Sequence, residues 1–242
     1  MNKITKKTGF VGVDISKDRI DCALLTEGCP GSFSDKQFDN RLNGFEAMEK
    51  WLQNQGMDLR LCLFCMEHTG TYGLLLFAWL SQRGHDFCVE PGLKIKRSIG
   101  MTRGKNDRVD ARRIADYACT NKGKLKLFSF PSESILEIKQ LLTYRDQLVR
   151  IRTGLKNSIK SHHQYEEITG KDFVTRDIMI QVSQYNQRID QMESEISRSI
   201  EENNELRKNF ELAKSVKGVG LVITALMLVT TNNFTSFDNG RK

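Results

Sequence analysis

GFVGVDISKDRIDCALL, residues 9–25, decides the fold. It holds two apolar runs, GFVGVDI and IDCALL, joined by the polar SKDR, which suits a hairpin of two buried strands. The first run ends on an acid, Asp14, where a buried strand ordinarily carries an apolar side chain. A single such Asp has two readings: it bonds the backbone of the following turn, or it works with other carboxylates brought near it. The choice depends on whether the rest of the chain supplies them.

Working outward, a third strand is expected near Ser32 to Phe38. Leu42, Phe45, Met48, Trp51 and Leu52 then recur at helical spacing. RLCLFCM, residues 60–66, reads as another buried strand, followed by the glycines of TGTYG and the helix-like LLLFAWL. DFCVE is a short strand stopped by Pro91. Three strands, helix, strand, helix, strand predicts an α/β domain over residues 1–130, a mixed sheet flanked by helices.

Beyond Pro131 the texture changes. Leu141, Tyr144, Leu148, Ile151, Leu155 and Ser158 fall at alternating three- and four-residue steps, and so do Ile178, Val182, Tyr185, Ile189, Met192 and Ile196. With a turn around Thr169-Gly170-Lys171, this predicts an antiparallel coiled-coil hairpin over residues 131–211, with a role in spacing or in assembly with another copy. Residues 212–242 open with SVKGVG. Gly218 and Gly220 flank Val219 between two helix-like runs. That pattern fits either a helix-hairpin-helix turn, with Lys217 and backbone N–H groups offered to a phosphate, or a plain helix-to-helix turn. The closing FTSFDNGRK leaves too little sequence to complete a further domain, so the segment reads as the beginning of one.

With 242 residues, a sizeable core is possible. Mean hydropathy is −0.45, and no apolar run approaches the roughly 20 residues of a membrane span. MNKITKKTGF lacks the apolar stretch of a secretory signal, so a cytoplasmic protein is expected. Its six cysteines are then expected as reduced thiols. Cys62 and Cys65 form a CxxC, but inside a strand-like run and without a second pair, which argues against zinc. The net charge of +7 is uneven. Between Lys94 and Lys126 eleven basic residues face three acidic ones, a local +8 that exceeds the charge of the whole chain. Polyanion binding is the functional reading of that segment, and a solvated basic face the bland one.

The other carboxylates do turn up. RLCLFCM runs directly into Glu67, so a second buried strand ends on an acid. KNDRVDARRIADYA places Asp107 and Asp110 three residues apart, on one face of a helix supported by Ala111, Ile114, Ala115 and Ala118. Two strand ends and one helix thus aim four like charges at one place. Such a cluster needs a strong counter-charge, and oxygen-only ligands favour Mg²⁺ or Mn²⁺. Two ions about 4 Å apart can activate a nucleophile and stabilise the leaving oxygen of a phosphodiester. Lys94, Lys96, Arg97, Arg103, Lys105, Arg108, Arg112 and Arg113 would then hold the nucleic acid.

GVDISKDRID, MEHTGTYG and KNDRVDARRIADYA, in that order, resemble the three acidic motifs of the DEDD-type insertion-sequence transposases related to the Piv DNA invertase. The resemblance covers essentially the whole chain, with SVKGVG similar to the opening of that family's C-terminal transposase domain. It implies a RuvC-like, ribonuclease-H fold followed by a coiled coil, with Asp14, Glu67, Asp107 and Asp110 as the metal-binding tetrad. It further implies recombination of donor and target DNA, guided by a structured bridge RNA, in a dimer or tetramer. Members are thought to use a serine nucleophile in the C-terminal domain. The motif that would hold it does not occur in this sequence, which therefore reads as shortened in that domain.

Other readings stay open on the residues alone. GVDIS is similar to the phosphate-binding hairpin of actin-like sugar kinases, but the chain has neither the duplicated fold nor the Gly/Thr-rich nucleotide loops. A metal-dependent junction resolvase shares the tetrad, although the helical arm and SVKGVG argue against a bare resolvase. A non-catalytic RNA- and DNA-binding module is the remaining class.

Overall fold

The computed structural model describes residues 3–29, 31–99 and 107–235. The chain divides into two compact units, Met1–Phe130 and Pro131–Lys242.

In the first unit, β1 (Gly9–Ile15), β2 (Arg19–Thr26) and β3 (Phe33–Asp39) form an antiparallel meander. The hairpin between β1 and β2 closes at SKDR, where Ser16 N–H donates to the Arg19 carbonyl at 2.9 Å. After α1 (Leu42–Asn54), β4 (Cys62–Glu67) lies parallel to β1 on its other side. Beyond α2 (Leu74–Gln82), β5 (Phe87–Glu90) adds parallel to β4. The order β3-β2-β1-β4-β5 leaves β1 in the middle of a mixed sheet. α3 (Gly92–Ile99) and α4 (Asp107–Asn121) come next.

Strand alternation sorts the core into two layers. Val11, Val13 and Ile15 of β1 pack with Phe64 and Met66 of β4 beneath α1 and α2 (Phe45, Met48, Leu76, Leu80). Phe10, Ala23, Leu25, Cys65 and Cys88 point the other way, against Ile95 of α3 and Ala111, Ile114, Ala115 and Ala118 of α4. A strand covered on both faces needs a near-continuous apolar run, which is why GFVGVDI shows no polar alternation.

The second unit is helical: α5 (Glu133–Thr169), α6 (Phe173–Glu201), α7 (Asn204–Lys214) and α8 (Leu221–Thr230). The Ser132 hydroxyl caps α5 at the Ile135 N–H, and Gly170 ends the helix at φ 67°, a left-handed position that glycine adopts without steric cost. Asn203 caps α7 by accepting from Glu205 and Leu206. Glu137 to Ser199 (2.6 Å), Arg145 to Glu193 (2.7 Å) and Arg152 to Asn186 (3.0 Å) join α5 and α6 in reverse order along the two chains. The pair is therefore antiparallel. The inward positions of α5 differ from the rhythm read in the sequence: Tyr144 and Ile151 are 45% and 47% exposed. Arg145 and Arg152 face α6, their guanidinium heads pairing across the seam with Glu193 and Asn186.

Gly12 is where α4 meets the sheet most closely. A Cβ there would overlap the Ala111 carbonyl oxygen and the Ala115 amide nitrogen, both backbone atoms that no rotamer change can move. Gly12→Ala is therefore expected to destabilise the protein by about 3 kcal/mol or more, the upper end for overpacking. Urea denaturation checks this, and a loss below about 1 kcal/mol would show that α4 is free to lift from β1.

Candidate active site

One row of polar side chains crosses the sheet on its α4 face. In the antiparallel pairing Asp14 lies opposite Asp21, and Asp21 opposite Gln37. In the parallel pairing Val13 lies beside Met66, so the next residues, Asp14 and Glu67, are neighbours, and Glu67 lies beside Glu90. The four acids are each two positions from a residue that packs under α4 (Gly12, Ala23, Cys65 and Cys88), and Gln37 lies opposite Asp21. Alternation puts all of them on that face. The row reads Gln37, Asp21, Asp14, Glu67, Glu90, about 4.8 Å apart from strand to strand.

α4 supplies the remaining acids. Ala111 and Ala115 sit over Gly12, while Lys122 near the helix end lies over the Phe10 ring and pairs with Glu27. The helix therefore runs antiparallel to β1, and its first turn, with Asp107 and Asp110, lies toward the strand end that carries Asp14. Asp110 accepts from Arg113 at 2.8 Å. The side chain of Asp107 lies outside the described residues. Asp14, Glu67 and Asp110 are half-buried.

The outer two acids of the row are more deeply buried and each has its own partner. Asp21, 5% exposed, accepts from the Gln37 amide at 3.0 and 3.2 Å. Glu90, 7% exposed, accepts from the Lys94 ammonium at 2.6 Å and the Tyr117 hydroxyl at 3.3 Å, both on Oε2. The hydrogen bond to Glu90 holds Lys94 above the usual lysine range. Burial, and then the Glu90 charge, raise the Tyr117 phenol. Lys94 is thus charged and Tyr117 neutral at physiological pH, so both donate. Asp21, Glu90 and Tyr117 were missed in the sequence reading, though signals existed. Asp14 and Asp21 are equidistant from the centre of the SKDR turn, and CME and CVE repeat one cysteine-to-acid spacing.

Among the described residues, no three His, Cys, Asp or Glu side chains stand close enough to share an ion. The donor chemistry nonetheless suits a hard cation: carboxylate oxygens on adjacent strand ends, beneath the start of a helix that carries two more. The CxxC does not contribute, because Cys62 and Cys65 point to opposite faces of β4 and burial pushes the Cys62 thiol up to about 11.

Much of the basic segment is discharged within the fold. Lys94 pairs with Glu90, Arg112 with Asp35, Arg113 with Asp110 and Lys122 with Glu27. Lys96 and Arg97 are exposed on α3. Arg103 and Lys105 lie outside the described residues, as does the side chain of Arg108. Lys217, Gly218 and Gly220 occupy the turn between α7 and α8, where Gly218 has φ 88° and Lys217 is exposed.

Gly92 touches the row directly, since a Cβ on it would overlap the Glu67 carboxylate. That carboxylate is the far end of a flexible side chain, so Gly92→Ala is expected to move Glu67 rather than the backbone. The expected result is stability within about 1 kcal/mol of wild type but weaker Mn²⁺ binding in calorimetric titration. Unchanged Mn²⁺ binding would show that the position of Glu67 is immaterial.

No helix among the described residues is long and apolar enough to cross a membrane. No curated protein matches the chain. A family model described as the DEDD transposase of IS110 matches residues 11–165, from β1 through most of α5. That span is more than half of the chain, and it contains the whole carboxylate row and the start of α4: the protein belongs to the IS110 family of DEDD transposases.

Proposed function

We propose that Asp14, Glu67, Asp107 and Asp110 hold two Mg²⁺ or Mn²⁺ ions for DNA cleavage and strand exchange between donor and target, guided by a structured RNA. The observation that carries this reading is the adjacency of Asp14 and Glu67 on the α4 face of parallel strands. The sheet order is compatible with a ribonuclease-H-like fold, the RuvC-like type. When bound, such ions would neutralise the carboxylates and stabilise charge on a phosphodiester. The protein's own part is to fix the ligands. Gly12 lets α4 close on β1, Gly92 leaves room for Glu67, and Arg113 orients Asp110. Lys96 and Arg97 on α3, with Arg103, Lys105 and Arg108, offer charge to the nucleic-acid backbone. The guide RNA rests on the resemblance of the acidic motifs. The α5/α6 hairpin is read as a coiled-coil arm, and its outward Tyr144 and Ile151 favour self-association into a dimer or tetramer.

Asp14→Asn and Asp107→Asn each remove a charge at nearly constant volume. Either should weaken Mn²⁺ binding by about 100-fold with the melting temperature unchanged or raised, because repulsion is relieved. Wild-type Mn²⁺ affinity in Asp14→Asn would defeat the assignment.

A further inference from the structure

Glu90 is an acid next to Glu67 that the tetrad leaves unused, and its surroundings are built rather than incidental. Its side chain is almost fully buried and belongs to β5. A lysine from the first turn of α3 and a tyrosine from α4 converge on the same oxygen. Burying a carboxylate beside an ammonium costs desolvation that the pair regains only in part, so such a pair is a poor stabilising device. What it does achieve is a cation fixed in place. The Lys94 side chain is 54% exposed, and its ammonium meets both the Glu90 carboxylate and the Tyr117 hydroxyl. An ammonium has three donors. Oε2 of Glu90 takes one and the Tyr117 oxygen can take a second, which leaves a third for an anion. The position is one strand away from Glu67, at the same end of the sheet.

We propose that Lys94 binds a phosphate of the DNA strand lying on the carboxylate row, and that Glu90 and Tyr117 are its positioning residues. The proposal rests on reading the row as the DNA-processing site, and it separates Lys94 from the diffuse basic segment. Among the described residues nothing holds Lys96 or Arg97 of the same helix in this way, whereas Lys94 is aimed by two elements. Tyr117 restrains the Glu90 oxygen that holds the ammonium and also meets the ammonium itself.

The test measures binding of the whole chain to a fluorescein-labelled DNA duplex by anisotropy across a salt series in EDTA, so that no metal ion takes part. Lys94→Met is expected to lower the slope of log affinity against log salt by about 1, and Lys94→Arg to retain it. Tyr117→Phe changes no charge. It should weaken binding about two- to fivefold in the wild-type background and have no effect in Lys94→Met, as non-additivity within one network requires. A wild-type slope in Lys94→Met overturns the phosphate contact. An equal effect of Tyr117→Phe in both backgrounds overturns the positioning role. Because metal is absent, the result stands apart from the tetrad assignment, whose failure would appear as unchanged Mn²⁺ binding in Asp14→Asn.

Discussion

The contact between Gly12 and α4 is the constraint on which the rest of the first unit depends. A helix ordinarily rests on a sheet through two layers of side chains. At Gly12 one of those layers is missing, so the Ala111 and Ala115 backbone comes directly against β1. The alanines Ala111, Ala115 and Ala118 continue the same requirement along the helix, each buried and each small. The close approach fixes the start of α4 near the end of β1. A bulkier residue at position 12 would therefore disturb more than packing: it would move Asp107 and Asp110 away from Asp14.

That geometry has an electrostatic consequence. Four acids in one sheet row, with two more on the helix above, would repel strongly if all stayed charged and uncompensated. The fold treats them unequally. The outer two, Asp21 and Glu90, are buried and satisfied by Gln37 and by Lys94 with Tyr117. The inner two, Asp14 and Glu67, remain half-buried at the strand ends. Burial with a partner keeps the flanking acids out of any shared cation site. Partial exposure leaves the central pair within reach of solvent.

Much of this was legible in the sequence, for definite reasons. GFVGVDI and RLCLFCM are continuous apolar runs because β1 and β4 are covered on both faces, and each announces its acid by breaking the run. The hairpin at SKDR came from polarity alone. The α5/α6 pairing was legible as two helices around Gly170, and so was most of its inward face, with Leu148, Ile178, Ile189 and Ile196 buried; Tyr144 and Ile151 are the exceptions. Periodicity assigned Tyr144 and Ile151 to the seam because it counts apolar residues, whereas Arg145 and Arg152 reach across it through polar heads. α3 escaped because Pro91 marks the end of a strand without announcing a helix beyond it. Asp21 and Glu90 escaped because each was read as part of a strand, while their roles depend on register across strands. The +8 segment carried two readings, polyanion binding or a solvated basic face, and Arg112, Arg113 and Lys122 follow neither, finding carboxylates within the fold.

The central claim is that the carboxylates at the ends of β1 and β4 and on the first turn of α4 hold divalent ions for DNA chemistry. The most direct measurement is an anomalous difference map from crystals of the protein grown with Mn²⁺. The account predicts two peaks about 4 Å apart, ligated by Asp14, Glu67, Asp107 and Asp110, with Glu90 still on Lys94. Manganese bound elsewhere, or bound by Glu90 in place of Lys94, would contradict it.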